Sequence, residues 1–480
     1  MAIAAVIRFP GSNCEFETAG ALKKAGIEPF IYNWNQADRL ALNRADAYVL
    51  PGGFSFQDRV RAGVIASRER MMDVIFEEAA YGKPVLGICN GAQILLESGL
   101  VPGWKPGAVQ AALASNLVTG RSGYLSRWVF LRKTPGSSCP WLSAMDDSPI
   151  PVPIAHAEGR FMFRSDDSGR VSDHLGLVYS TVEGEAPTGW PDNPNGSHMN
   201  AAGLTNAGGN VLAMMPHPER AMDLWQVPPG LPGEVGRGQK GSHCEGTGGE
   251  TRPRSCYLQG PGGSSGGDKM SVISIAVRLK APDPEAVTAL NAINGMGLQL
   301  PPAKLARYDI WEFSLETGGE ETLREIVGHF TDIVNPNKHL WSLAEPGKNL
   351  PWQDDSMNWT GVLVSDREDN RGNNWASILK RRGFPVEAVH RRTLWMFGYL
   401  REIDDSLAAK LAMDLSVSGS RTGGLLSNPV SQEVIPGPEA GRIHRTAGQC
   451  GAAPAVHRFR VQHPPKRIRQ GCNTGLSRCV

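Results

Sequence analysis

The chain has no apolar run long enough to cross a bilayer, no C-x-x-C pair and no Cys/His cluster with zinc-finger spacing. It has no Walker A motif. It also lacks an excess of charge of either sign: 49 Lys and Arg stand against 48 Asp and Glu, a formal net charge of +1. These absences argue against a membrane-spanning protein, a structural zinc module and a P-loop enzyme. The charge balance gives no global reason to expect nucleic acid or an anionic membrane as partner. The eight cysteines are scattered through 480 residues and read as reduced thiols rather than as a disulfide scaffold. The run Ala2 to Ile7 is too short for the apolar core of a signal peptide, and no basic segment precedes it. It reads as a buried first strand, and a cytoplasmic location is the expectation.

What is present suits soluble globular domains: 41% apolar and 20% charged residues, in a chain long enough for two or three domains. The first hundred residues alternate between strand and helix patterns. Strands are expected at Ala2 to Ile7, Glu28 to Tyr32, Asp46 to Leu50 and Val85 to Ile88. Helices are expected at Glu15 to Ala25, about Asp58 to Ala80, and Asn90 to Ser98. Such alternation predicts an α/β fold with a parallel sheet and helices on both faces, whose sites form at the carboxyl ends of the strands. Further strands are expected at Arg127 to Leu131, Val152 to Ala155 and Val211 to Met215, whereas 185–210 is rich in Asn, Pro and Gly and reads as loop. Residues 1–227 make one domain on this reading.

From 228 to 269 glycine dominates, and the stretch reads as a flexible linker. An internal repeat follows. Val272 to Leu279 and Thr360 to Val364 read as strands, each followed by a helical stretch ending near Gly297 or Gly383. Ile310-Trp-Glu-Phe313 then corresponds to Met396-Phe-Gly-Tyr399, and each copy carries an Asn-Pro turn, at Asn335-Pro336 and Asn428-Pro429. Two small α+β modules, 270–346 and 357–436, are expected, arranged as a dimer fused into one chain. The tail 437–480 is basic and lacks a hydrophobic period. Without interleaved aromatics to stack on bases, it reads as disordered rather than as a nucleic-acid arm.

The chemistry concentrates at Gly87-Ile-Cys89-Asn90-Gly91, a G-x-C-x-G between a strand and a helix. This is a nucleophile elbow with sulfur as the nucleophile. The turn is tight, so the flanking positions must be glycine. The helix N-terminus favours a thiolate, and the N–H of Asn90 points where an oxyanion would form. A lone cysteine at a strand end is as often a small buried hydrophobe; the strand before it and the helix after it favour the nucleophile. Met214-Met-Pro-His217-Pro-Glu219-Arg220 offers a base. In extended chain, residues two apart share a face, so His217 can face Cys89 while Glu219 orients the ring. Leu50-Pro-Gly52-Gly53-Phe54-Ser55 puts a glycine turn at the carboxyl edge of the sheet, where its amides can complete an oxyanion hole.

With these motifs the chain resembles the class I glutamine amidotransferases over residues 1–225. Arg8-Phe-Pro-Gly-Ser-Asn-Cys14, Arg61-Ala-Gly63, Arg127-Trp128-Val129 and Pro153-Ile-Ala-His156-Ala-Glu158-Gly159 resemble the glutaminase components of phosphoribosylformylglycinamidine synthases. The tandem modules are similar to the small bridging component of those synthases, most closely at Ile333-Val-Asn335-Pro336-Asn-Lys-His. The resemblance implies Cys89 as nucleophile with His217 and Glu219 as its partners, Gly53 and Asn90 as oxyanion-hole positions, and Gln93 as a contact to bound glutamine. It implies no metal and no cofactor in this chain. Ammonia would pass to a large synthetase subunit that carries ATP and Mg, because no synthetase-sized segment is present here. Neither nucleic acid nor membrane is an expected partner. Gln57 and Arg59 depart from the family pattern after Phe56, as does Ala157 where glycine is common. His156 reads equally as a substrate-side or a structural residue, and the role of Glu158 is open. Two rivals stand beside this reading. A different cysteine hydrolase of the same sheet type would lack the His-Pro-Glu after the last strand. A non-catalytic adaptor would have no use for an intact Cys, His and Glu set.

Overall fold

The computed structural model describes residues 1–36, 38–117, 123–232, 271–344, 350, 353 and 356–436. Most of the glycine-rich stretch expected as a linker, and the whole basic tail, lie outside the described residues. Among the described residues no helix is long and apolar enough to cross a membrane.

In the N-terminal lobe, apolar runs of four to six residues form strands β1 (Ile3–Arg8), β2 (Glu28–Asn33), β3 (Ala47–Leu50) and β4 (Val85–Ile88). Every residue of β3 and β4 is buried, as expected of strands covered on both sides. Helices α1 (Glu15–Lys24), α2 (Arg39–Asn43), α3 (Met71–Ala80) and α4 (Asn90–Glu97) lie between or after them. Two short strands, β5 (Ala112–Ala114) and β8 (Arg160–Met162), pair apart from the main sheet. Strands β6 (Leu125–Lys133), β7 (Ile150–His156), β9 (Leu175–Ser180), β10 (Ala201–Thr205) and β11 (Val211–Met214) complete the lobe, with helix α5 (Ser168–His174) before β9. The main sheet has nine strands in the order β2-β1-β3-β4-β11-β10-β9-β6-β7.

Three expectations need correction. The sheet is parallel only from β2 to β11; β10, β9, β6 and β7 pair antiparallel. The strand-helix alternation stops after α4, and β10 and β11 are joined by a short turn through Ala207-Gly-Gly209, which allows only antiparallel pairing. Segment 185–210 is not all loop, because Ala201-Ala-Gly-Leu-Thr205 forms the fully buried β10. Its residues are too small to stand out from the Asn, Pro and Gly around them. The helix expected from Asp58 to Ala80 exists only as α3. Before it, Phe56, Gln57, Asp58, Val60 and Gly63 all adopt left-handed φ, which breaks any helix.

The C-terminal lobe is one six-stranded sheet. Its first half holds β12 (Ser271–Leu279), β13 (Lys304–Leu315) and β14 (His339–Leu343), with helices Pro284–Asn294 and Gly319–His329. Its second half repeats the pattern with β15 (Asn358–Asp366), β16 (Val386–Tyr399) and β17 (Gln432–Pro436), and helices Asn370–Arg381 and Asp405–Ser416. The order β14-β12-β13-β16-β15-β17 is the same read from either edge. The long β13 and β16 pair antiparallel at its centre, with Tyr308 facing Leu394. These two residues stand as far apart in sequence as Gly297 and Gly383. Asp283 and Asp369, at the same spacing, cap equivalent helices by accepting from the amides of Glu285 and Gly372.

The two lobes share a core. Val64 and Ile65, from the loop before α3, are buried among Ala286, Ile293, Phe397, Leu415, Leu425 and neighbouring apolar residues of the second lobe. Full burial of each such side chain stabilises by about 1.5–3 kcal/mol. Polar contacts reinforce it. Arg61 donates to both carboxylate oxygens of Glu97, at 3.2 and 2.7 Å, and to the carbonyl of Leu425 at 2.7 Å. Asn428 Nδ2 reaches the same Glu97 at 2.9 Å. Arg421 returns from the second lobe to the carbonyls of Ser67 and Glu69 and to Asp73.

Candidate active site

Cys89 sits between β4 and α4 with φ 50° and ψ −105°, a conformation that non-glycine residues rarely adopt. The closeness of the turn explains its glycines. A Cβ on Gly91 would lie 2.0 Å from the carbonyl oxygen of Leu50, and one on Gly87 would lie 2.6 Å from that of Gly91. The thiol is buried, and Sγ approaches the carbonyl of Ala155 at 3.8 Å. Burial pushes the thiol well above its ordinary range, and the negative surroundings of Cys14 and Glu219 add to this. A hydrogen bond from the backbone amide of Asn90 acts in the opposite direction. Burial thus favours the protonated thiol, and the reading of Cys89 as a nucleophile calls for a base beside it.

That base stands at the end of the next strand. Strands β4 and β11 are parallel neighbours, with Ile88 paired to Met214, so Cys89 and His217 leave the same sheet edge. His217 donates its backbone amide to the carbonyl of Pro153, and its Nδ1 lies 2.6 Å from Glu219 Oε1. Both side chains are almost fully buried, at 2% and 1% exposure. The expected route to this pairing was extended chain. Pro218–Arg220 instead forms a 3₁₀ turn with His217 as its cap, and the turn curls Glu219 back under the ring. Among the described residues, neither His217 Nε2 nor Glu219 Oε2, both buried, has a hydrogen-bond partner.

The glycine turn lies alongside. Gly53 has φ 146° and bridges to Ser12, and a Cβ there would meet Ser12 and Asn13 at 2.7 and 2.8 Å. The amides of Asn13 and Cys14 both donate to the carbonyl of Gly52. The loop Gly11–Cys14 thus clamps the turn. Asn90 is tied on three sides: its Oδ1 accepts from the amide of Ser55 at 3.0 Å, and its Nδ2 reaches Asp58 at 3.1 Å and Gln93 Oε1 at 2.9 Å. Gln93 is buried and also donates to the carbonyl of Glu158 at 2.8 Å. The structure brings Cys89, Asn90, Gln93, His217, Glu219 and Gly53 to one end of the sheet.

Residues 2–241, half of the chain, match the family model for CobB/CobQ-like glutamine amidotransferase domains. The chain belongs to the glutamine amidotransferase family. It is 45% identical over 251 residues to the phosphoribosylformylglycinamidine synthase subunit PurQ of Methanothrix thermoacetophila, which covers 49% of this chain and 94% of that protein. The PurQ subunit of Synechocystis is 39% identical over 229 residues, covering 45% of this chain and 92% of its own length. Among solved structures, PurLQS from Thermotoga maritima is 32% identical across 49% of this chain and 94% of the matched chain, with a TM-score of 0.38; at that score the superposition adds nothing to the sequence match.

Several residues of the amidotransferase domain make contacts that sequence reading left open or did not anticipate. Asp58, left-handed and hydrogen-bonded to Asn90, has its carboxyl pushed up to about 7 by burial and by the nearby Glu158. Burial likewise raises the Glu158 carboxyl. Both face a cavity of about 200 Å³ between the lobes, which Arg160, Asp366, Arg371 and Arg391 also line. Arg59, one of the departures from the family pattern, donates to Thr288 Oγ1 of the second lobe at 3.0 Å. His156 is buried, and among the described residues its Nε2 has no hydrogen-bond partner. Its ring meets Asn116 Oδ1 at 3.1 Å, and burial and the nearby His217 hold its pKa down to about 3. A Cβ on Gly159 would lie 2.2 Å from that ring, so this glycine is required by packing. Cys14 is buried beside the His217–Glu219 pair and accepts from Arg220 Nη2 at 2.9 Å. The pattern Arg8 to Cys14 marked the loop, but nothing in sequence spacing places position 14 beside position 217.

Proposed function

We infer that this chain is the glutaminase component of a phosphoribosylformylglycinamidine synthase, acting in purine biosynthesis in the cytoplasm, where a nucleophilic thiol stays reduced. The observation that carries the reading is a strained Cys89 at the end of β4, beside a buried His217–Glu219 pair at the end of the adjacent β11. The names of the PurQ relatives supply the pathway.

His217, held in one tautomer by Glu219, takes the Cys89 proton through Nε2. The thiolate attacks the side-chain amide carbon of glutamine. The oxyanion is held by the amides of Gly53 and Asn90. His217 then protonates the departing ammonia, leaving a glutamyl thioester on Cys89. A water deprotonated by His217 attacks the thioester, releasing glutamate and returning the thiol. Gln93 lines the glutamine pocket, positioned by Asn90 and the Glu158 carbonyl. Ammonia goes to a large synthetase subunit, which binds ATP and Mg and converts formylglycinamide ribonucleotide to its amidine. No cofactor is assigned to this chain.

We divide the chain into an amidotransferase domain (1–227), a linker (228–269), two repeated modules (270–346 and 357–436) and a tail (437–480). The modules act as a fused pseudo-dimer that bridges glutaminase and synthetase. The symmetric strand order and the repeat-matched pairing of Tyr308 with Leu394 support this. In the assembled complex, Cys89→Ala is expected to abolish glutamine-dependent product formation and to leave ammonia-dependent formation intact. Loss of both activities to the same extent refutes the division of labour.

A further inference from the structure

We propose that Cys14, His217 and Glu219 form an inhibitory site for a borderline-soft divalent cation such as Zn²⁺ or Co²⁺, which switches the glutaminase off by capturing its base. One ligand atom from each of the three residues lies within 4.8 Å of the others, and all three residues are buried. Sulfur, imidazole nitrogen and carboxylate oxygen are the donor set that zinc prefers. Metal–ligand bonds of about 2.0–2.3 Å put ligands roughly 3.3–3.8 Å apart around a tetrahedral ion, so side-chain adjustment of about 1 Å closes the site.

One observation beside the donor set points to a ligand. Glu219 Oε2 and His217 Nε2 are fully buried yet have no hydrogen-bond partner among the described residues, an arrangement that costs free energy and that a cation relieves. Gly52 packs closely against two of the donor side chains. A Cβ there would lie 3.1 Å from Cys14 Sγ and 2.8 Å from His217 Cε1. Binding releases one proton, as the Cys14 thiol becomes a metal-bound thiolate while the cation accepts a lone pair each from His217 and Glu219. The N–H bond from Arg220 to Cys14 Sγ can persist, since a coordinated thiolate still accepts hydrogen bonds. Coordination through Nδ1 moves that atom's proton to Nε2 and breaks the 2.6 Å bond to Glu219, and coordination through Nε2 removes the lone pair that deprotonates Cys89. Either way the base is lost. The Cys14 side chain takes no part in the proposed hydrolysis, and its backbone amide, which holds the Gly52 carbonyl, is kept in Cys14→Ser.

The inhibition rests on the glutaminase reading, whereas the site itself does not. Metal-free full-length chain is titrated with Co²⁺ and read by the sulfur-to-cobalt absorption band, in wild type, Cys14→Ser and Cys89→Ala. Subtracting the Cys14→Ser spectrum from the wild-type spectrum isolates Cys14 from the other cysteines. A band in the difference spectrum, retained in Cys89→Ala, supports the site. A flat difference spectrum, or a band lost in Cys89→Ala, overturns it. In the glutaminase assay, Cys14→Ser is expected to keep metal-free activity and to need at least tenfold more free Zn²⁺ for half-inhibition; an unchanged zinc response overturns the proposal. If Cys14→Ser is unfolded by circular dichroism, Cys14→Ala carries the same tests. A chain that shows the cobalt band but hydrolyses no glutamine would refute the functional reading and leave the site standing.

Discussion

Gly91→Ala tests how closely the nucleophile's position depends on backbone contact. The added Cβ would lie 2.0 Å from the Leu50 carbonyl oxygen, 2.7 Å from its carbon and 2.9 Å from Leu50 Cβ. Contacts under 3.0 Å essentially never occur, so the gap must widen by about 1 Å. Both sides of that gap are backbone, and neither can rotate away. Leu50 ends β3 and leads into the turn that carries Gly53, while Gly91 lies two residues beyond Cys89. Whichever side yields, the nucleophile and the oxyanion turn move apart. A misplacement of about 1 Å costs on the order of 10²-fold in rate, or about 2.7 kcal/mol. Overpacking is expected to cost a further ~1–3 kcal/mol of stability. The assay is kcat/KM for glutamine in the assembled complex, with thermal unfolding measured in parallel. Gly82→Ala is the control: Gly82 has φ +89° and open space around it, so the variant should lose ~1–2 kcal/mol of stability and no activity. A Gly91→Ala enzyme within threefold of wild type would refute the argument that this contact sets the geometry.

Glu219→Gln keeps the size of the side chain but removes its charge and permits the wrong imidazole tautomer. A fall of about 10²- to 10⁴-fold in glutaminase kcat is expected, and a loss smaller than tenfold would show that Glu219 does not orient His217. Glu97→Ala strips Arg61 and Asn428 of a shared buried carboxylate and should cost about 3–5 kcal/mol in denaturant unfolding; a cost below 1 kcal/mol would mean that the Glu97 cluster does not hold the lobes together. Asp58 has a folded-state pKa of about 7, above its ordinary 3.8. The folded chain therefore binds the extra proton, and stability falls as pH rises from about 4 to about 7. Asp58→Asn should flatten that part of the stability–pH curve, and an unchanged slope would place the titration elsewhere.

The legible parts of this molecule were those written in local pattern. Gly87 to Gly91 announced the elbow because no other residue type tolerates contacts of 2.0–2.6 Å. Strands β1 to β4 were readable because each is a short apolar run between breakers. The Asp58–Ala80 segment misled because its side chains suit a helix, while Asp58, Val60 and Gly63 adopt left-handed φ, with Asp58 bonded to Asn90 and the adjoining Arg59 to Thr288 of the second lobe. The antiparallel half of the sheet was hidden because strand direction depends on connection length, and β10 carries too little apolar bulk to be seen. At the site, the His217–Glu219 pairing was anticipated, but through the wrong backbone geometry. Cys14 and Asp58 went unseen because only tertiary structure brings them within reach of residues far away in sequence.

The central strand pair of the second lobe has a further consequence. In a two-fold dimer of separate chains, the residue on the axis must face its own copy, and every substitution is made twice. Here Tyr308 faces Leu394, an aromatic ring against a branched aliphatic one, both buried in the same cluster. Arg391 and Arg392 likewise reach across to Asp309 and Glu312 from one side only. Covalent linkage frees the two halves from self-complementarity. It also makes their association a matter of effective concentration within one molecule, so dilution cannot separate them. Each half is then free to grip the amidotransferase domain in its own way, the first through Ala286, Thr288 and Ile293 and the second through Arg421, Leu425 and Asn428.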